Sequence, residues 1–138
     1  MKFTVVAFVL ITCLLVPICI GASPADAPSV TVEVLRQTKD WTPNKVKNMI
    51  SYVARIYDYD EKELLWLADA ESDYRHDVLG DGGKALGVYQ IWPLTWKGFV
   101  KDYGLKYQDR SNPVDQTIAT IAALKDGKKC LWSPYKCK

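Results

Sequence analysis

Residues 60–93 read DEKELLWLADAESDYRHDVLGDGGKALGVYQIWP, and the first half of this stretch sets the class of the fold. Asp60 with Glu63 three residues on has the form of a capping box at a helix start. Leu64, Leu67 and Ala68 follow at helical spacing, with Leu65 and Trp66 widening the stripe. One further step along the same face arrives at Glu71 rather than at an apolar side chain. Desolvation on the core side of a helix disfavours a charged carboxylate. The partial negative charge of the helix C-terminus acts in the same direction. An acid that stays protonated near neutral pH is what general-acid catalysis requires. Periodicity alone leaves a second reading open, in which Glu71 turns outward and pairs with Arg75.

The flanks of this stretch read as further helices. Thr42-Pro43 is an N-cap followed by a first helical position, and Val46, Met49, Ile50, Val53 and Ile56 continue it, predicting a helix over 43–57. Gly80-Asp81-Gly82-Gly83 marks a loop. Pro93 opens a helix carrying Trp96, Phe99, Val100 and Tyr103 up to Gly104. Asn112-Pro113 starts a last helix, with Val114, Ile118, Ile121 and Leu124 inward and Gly127 at its end. Between residues 28 and 37, Val30, Val32 and Val34 alternate with Ser29, Thr31 and Glu33. With no second strand to pair with them, residues 26–42 are predicted to be an extended linker. The fold class is mainly α.

Lys2, an uncharged run from Phe3 to Ile20 and the small residues around Ala22-Ser23-Pro24-Ala25 form a secretory signal peptide, with cleavage expected after Ala25. An uncleaved leader would instead anchor the chain in a membrane; otherwise no stable membrane association is expected. Removing residues 1–25 from 138 leaves 113, enough for one core. The organisation is therefore signal peptide 1–25, linker 26–42 and one helical domain 43–138. The same cut takes away Lys2 and no acid, so the formal charge falls from +2 to +1 and gives no electrostatic case for nucleic acid. Cys130 and Cys137 remain in the exported chain and read as a disulfide closing the short loop LWSPYK. His76 is the only histidine, so zinc spacing is missing; neither a metal nor a cofactor is expected.

Glu71-Ser72, the polar loop and Lys84-Ala85-Leu86-Gly87-Val88-Tyr89-Gln90-Ile91-Trp92-Pro93 resemble the soluble lytic transglycosylases of the goose-type lysozyme superfamily. There a helix ends in Glu-Ser, and a Gly-Leu-Met-Gln-like segment follows a loop. The match spans roughly Asp60 to Trp96 and continues more faintly through Asn112-Pro113 and Gln116 to Trp132. The resemblance implies a lysozyme-like helical domain with a glycine-rich active-site loop, acting on peptidoglycan glycan strands as a secreted or periplasmic enzyme. A monomer is expected.

By the same resemblance, Glu71 matches the catalytic acid, and Ser72 the serine that orients it and the substrate. Gly87 would let the backbone approach the sugar, and Gln90 would offer its amide to it. Tyr89 stands where the family carries methionine and is taken with the substrate-binding set. The family's late tyrosine stretch has no clear counterpart; Tyr89, Tyr107 and Tyr135 are candidates for its role. Trp92, Trp96 and Trp132 could supply platforms for sugar rings; Trp96 fits a core position better, whereas Trp132 is kept with the substrate set. Family chemistry implies that one glutamate suffices, acting as acid then base to give 1,6-anhydro ends. Two alternatives stay open: a hydrolytic muramidase with Asp81 as its second carboxylate, and a non-catalytic wall-binding module.

Overall fold

The computed structural model describes residues 27–137; the predicted signal peptide lies outside the described residues. Among the described residues there are five α-helices and one very small two-stranded sheet. The helices are α1 (Ala27–Arg36), α2 (Pro43–Ile56), α3 (Glu61–Ser72), α4 (Pro93–Tyr103) and α5 (Pro113–Lys125). Strands β1 (Leu79–Gly80) and β2 (Ala85–Leu86) pair antiparallel, with Leu79 opposite Leu86 and Gly80 opposite Ala85. No helix among the described residues is long and apolar enough to cross a membrane.

The helix starts obey local chemistry. The Thr42 side chain accepts from Lys45 N, Asp60 from Lys62 N and Asn112 from Val114 N, each occupying an orphan donor of the first turn. Pro43, Pro93 and Pro113 stand in the first turns of their helices, where a missing N–H costs nothing. Glu63 does not complete a capping box. Its carboxylate is drawn away by three donors, the nearby Tyr59 Oη at 2.5 Å and the distant Lys129 Nζ at 2.7 Å and Tyr135 Oη at 3.0 Å. These hold the C-terminal segment against α3 and keep the Glu63 carboxyl below its usual range, despite a burial effect in the opposite sense.

Helix α5 is the centre of the molecule. Every residue from Pro113 to Leu124 except Ala122 is buried, so α5 packs on all sides rather than along one stripe. Helices α1, α2 and α4 pack against it, and α2 also packs on α3.

The predicted extended linker is corrected by the structure, because its first part is helix α1. Alternating valines carry a strand-like local signal, but tertiary contact overrides it. Val32 is buried, Leu35 packs on the core, and Asn112 Nδ2 donates to the Arg36 carbonyl at 2.9 Å. Arg36 clasps the buried Asp115 through Nε (2.5 Å) and Nη2 (3.0 Å), while its guanidinium lies 4.1 Å from the Tyr107 ring centroid.

The Cys130–Cys137 disulfide is present, with Cα atoms 5.4 Å apart. It closes the loop that carries Trp132 and Tyr135.

Candidate active site

Helix α3 ends at Ser72, and Asp73 caps it in the left-handed conformation (φ 54°) with its N–H returned to the Ala68 and Asp69 carbonyls. This places Glu71 in the last turn. It is half-buried, and its carboxyl makes no hydrogen bond among the described residues. Its pKa is raised above the ordinary carboxylate range, first by burial and second by the negative charge of Asp81. The outward pairing with Arg75 does not form: Arg75 Nε donates to the Ser72 carbonyl instead.

Asp81 belongs to the turn linking the two strands. As the glycines in the sequence suggested, the segment is a loop: Asp81–Gly83 is the tight turn that closes the hairpin. Gly82 and Gly83 sit at φ 65° and 89°, where a glycine carries no Cβ penalty. Asp81 itself is held at φ 48°. Its Oδ2 accepts from Trp92 Nε1 at 2.9 Å, so the acidic tip of the turn and the exposed indole form one unit.

The segment after β2 is fastened from below. The Gln116 side chain, fully buried in α5, accepts from Tyr89 N at 3.2 Å through Oε1. Through Nε2 it donates to Leu86 O at 2.9 Å and Arg110 O at 2.5 Å. Gly87 has φ 80°, and a Cβ there would come within 2.3 Å of Gln116 Nε2. The glycine is thus demanded by the amide beneath it. Arg110 adds a second brace, with Nη1 donating to Lys84 O at 3.0 Å and to Ile91 O at 2.8 Å. In the sequence, Gln116 shows only as a polar side chain inside an apolar helix, and nothing local tells that it supports the loop.

Ser72 is buried, and its hydroxyl lies 2.8 Å from the Val88 carbonyl and 3.1 Å from the Ala68 carbonyl. It joins the helix bearing Glu71 to the loop. Gln90 is partly exposed at φ 48°, with Nε2 donating to Gly87 O at 2.8 Å and Val78 O at 3.1 Å. Its Oε1 lies over Gly80, where a Cβ would approach to 2.2 Å. The Gln90 N–H donors are therefore spent within the loop, which leaves the carbonyl oxygen as its free polar group.

Tyr89 and Trp132 require correction as substrate-contacting side chains. Tyr89 is 0% exposed and its hydroxyl has no hydrogen-bond partner among the described residues, so the ring stands in the core where methionine would. Trp132 is also buried; its Nε1 donates to Tyr89 O at 3.0 Å and its ring packs near Phe99. Both were misread because an aromatic next to a polar motif carries no local sign of which way it faces. Tyr135 is engaged with Glu63, and Tyr107 lies against Arg36 and Lys106. Trp96 is buried as expected, donating to the Gln108 carbonyl. Of the three tryptophans considered as platforms, only Trp92 is exposed. Two surface hollows, of about 370 Å³ beside His76 and Leu86 and about 480 Å³ beside Trp41 and Tyr52, are not lined by Glu71.

A helical domain with a half-buried acid at a helix end, facing a glycine-rich hairpin, is lysozyme-like in architecture. Residues 48–134 match the model of the transglycosylase SLT domain, and the chain belongs to that family. Membership makes it a glycosidase of the lytic transglycosylase type with peptidoglycan as its substrate, in a family whose proteins act in the periplasm or outside the cell. No curated protein matches the chain, and no solved structure does.

Proposed function

We propose that this enzyme cleaves glycan strands between N-acetylmuramic acid and N-acetylglucosamine, with Glu71 as its single acid and base, leaving 1,6-anhydro ends. The observation that carries the reading is the half-buried Glu71 carboxyl in the last turn of α3, free of hydrogen bonds among the described residues and facing the hairpin of Asp81. Burial and Asp81 both favour its protonated form. Protonated Glu71 gives its proton to the glycosidic oxygen as the C1–O bond breaks, and the acetamido oxygen of the muramyl ring closes on C1. Glu71, now a carboxylate, takes the proton of the 6-hydroxyl. O6 then displaces the acetamido oxygen from C1, the anhydro ring closes and Glu71 is again protonated. No water is consumed, and one group serves both steps.

Within this reading, Ser72 and Gln116 act through the backbone, fixing the loop that carries Gly87 and Gln90 opposite the acid. The Gln90 carbonyl oxygen is the group offered to sugar N–H or O–H donors.

A hydrolytic route is the second reading, favoured by one observation: the exposed Asp81 carboxylate is near enough to act electrostatically on Glu71. Against it, one Asp81 oxygen is already bonded to Trp92. Purified peptidoglycan digested with the secreted protein distinguishes the two by the mass of the product ends. Anhydro ends, lighter by one water than hydrated reducing ends, support the single-glutamate route. Hydrated ends that disappear in Asp81→Asn support the second, and no cleavage overturns both.

A further inference from the structure

Ser72, Gln116 and Arg110 tie the loop facing Glu71 from within the domain. A further tie comes from the C-terminal segment, where Trp132 Nε1 donates to Tyr89 O at 3.0 Å. Among the described residues it is the one hydrogen bond from the chain beyond α5 to the stretch 84–92. Ser72 and Gln116 sit on the packed helices α3 and α5. Trp132 has no such support, since the chain there forms only two single 3₁₀ turns, Lys129–Leu131 and Ser133–Tyr135. Isolated turns have little stability of their own.

Trp132 stands between the two turns, and the Cys130–Cys137 bond spans both. At its other edge the segment is fastened to α3. Lys129 and Tyr135 hold the Glu63 carboxylate, and the Tyr135 ring meets Trp66 edge-on at 5.1 Å. The stapled segment thus bridges the helix that bears the acid to the loop across from the acid. Both cysteines are exposed, whereas the indole between them is buried. A soluble thiol therefore reaches the bond without unfolding the domain.

We propose that Trp132 is a positioning residue for the reaction and that the Cys130–Cys137 disulfide is a redox switch on its hold. Oxidised, the segment keeps the indole N–H on the Tyr89 carbonyl and Gly87–Gln90 set opposite Glu71. Reduced, it releases that carbonyl, and turnover slows. The inference rests on the catalytic reading above. The switch is thrown by a dithiol. One of its thiolates attacks a cysteine sulfur, the S–S bond breaks, and the other cysteine leaves and takes a proton. The second thiol of the reductant then displaces the protein from the mixed disulfide. Two electrons and two protons pass to Cys130 and Cys137, and the dithiol becomes a disulfide. A disulfide oxidant runs the exchange backwards. On the chain-entropy model, closing so short a loop favours the ordered segment roughly 50-fold, enough to decide whether a marginal segment stays closed.

Oxidised protein and protein reduced with dithiothreitol are compared well below the melting temperature of both, with the extent of reduction counted by thiol titration. On soluble peptidoglycan strands, reduction should lower kcat about 10-fold and leave KM nearly unchanged, because the segment sets the loop and not the glycan contacts. Reoxidation with oxidised glutathione should restore the rate. Cys130→Ser/Cys137→Ser should match the reduced wild type and ignore dithiothreitol. Trp132→Phe keeps a ring in the core but has no N–H; it should start near the reduced rate and respond little to reduction. The indole N–H resonance missing from Trp132→Phe should move toward its solvent-exposed position when wild type is reduced. A melting temperature that falls on reduction while kcat and the resonance stay in place would overturn the switch and leave the catalytic reading standing. No cleavage by the oxidised protein would overturn the catalytic reading, and the resonance alone would then decide whether the disulfide governs the Trp132 contact.

Discussion

The Ser72 hydroxyl lies 2.8 Å from the Val88 carbonyl, joining the last turn of α3 to a loop sixteen residues further on. The residue beside the acid thus sets the distance between Glu71 and the segment facing it. Ser72→Ala leaves the buried carbonyl with one partner fewer and should cost about 1–3 kcal/mol of stability. Thermal unfolding of the variant, with glycan cleavage measured well below its melting temperature, checks both the cost and any loosening of the site.

Glu71 itself should lower stability at neutral pH. Burial and Asp81 raise its pKa in the folded protein, so the unfolded chain gives up this proton first as pH rises. Stability falls once pH passes the unfolded value, near 4.3, and stops falling above the folded value. Gln at position 71 cannot ionise. Glu71→Gln should therefore melt above wild type at pH 7, with the gap closing at roughly pH 4 and below. The same variant should lose about 10²–10⁴-fold in rate. Melting curves across pH test the first claim and release of soluble wall fragments tests the second.

Much of this site was legible in the sequence because it depends on short-range order. The stripe ending at Glu71, the caps at Thr42, Asp60 and Asn112, and the glycine turn each declare themselves within a few residues. What stayed hidden depends on contacts between distant elements. Helix α1 is one case, since its valines alternate as in a strand and only the packing of Val32 and Leu35 makes it helical. Gln116 is another, because its three loop partners lie six to thirty residues upstream. The capping-box reading of Glu63 failed for the same reason, as Lys129 and Tyr135 are 66 and 72 residues away.

Asp81→Asn separates an electrostatic role from a chemical one. The amide keeps an oxygen for the Trp92 N–H but removes the charge that raises the Glu71 pKa. Activity requires protonated Glu71, so the alkaline limb of the pH profile should move to lower pH, with the maximal rate within about 10-fold of wild type. A loss of 10²-fold or more at every pH would instead give Asp81 a place in the reaction itself. Initial rates on purified cell walls from pH 4 to 9 decide the matter.

Gly87→Ala should be among the most damaging single changes. The new methyl meets Gln116 at 2.3 Å while the backbone stays at φ 80°. Relief requires the Gln116 amide to withdraw from Leu86, Tyr89 and Arg110, leaving buried polar groups unpaired. A loss of about 3–5 kcal/mol is expected, on the scale of the largest single-site effects. Denaturant unfolding measures it, and the double variant Gly87→Ala/Gln116→Gly should lose less than the sum of the two single losses.

The clasp between Arg36 and Asp115 also implies an order of assembly. The helix that comes first among the described residues takes its polar anchorage from residues 76 and 79 positions later, Asn112 and Asp115. The entropy of closing so long a loop must be met before those contacts form, and none of them exists until α5 has been synthesised. As the chain emerges, α2 and α3 can pair as neighbours, whereas α1 waits for the central helix. The earliest helix among the described residues is thus expected to be among the last to lock into place.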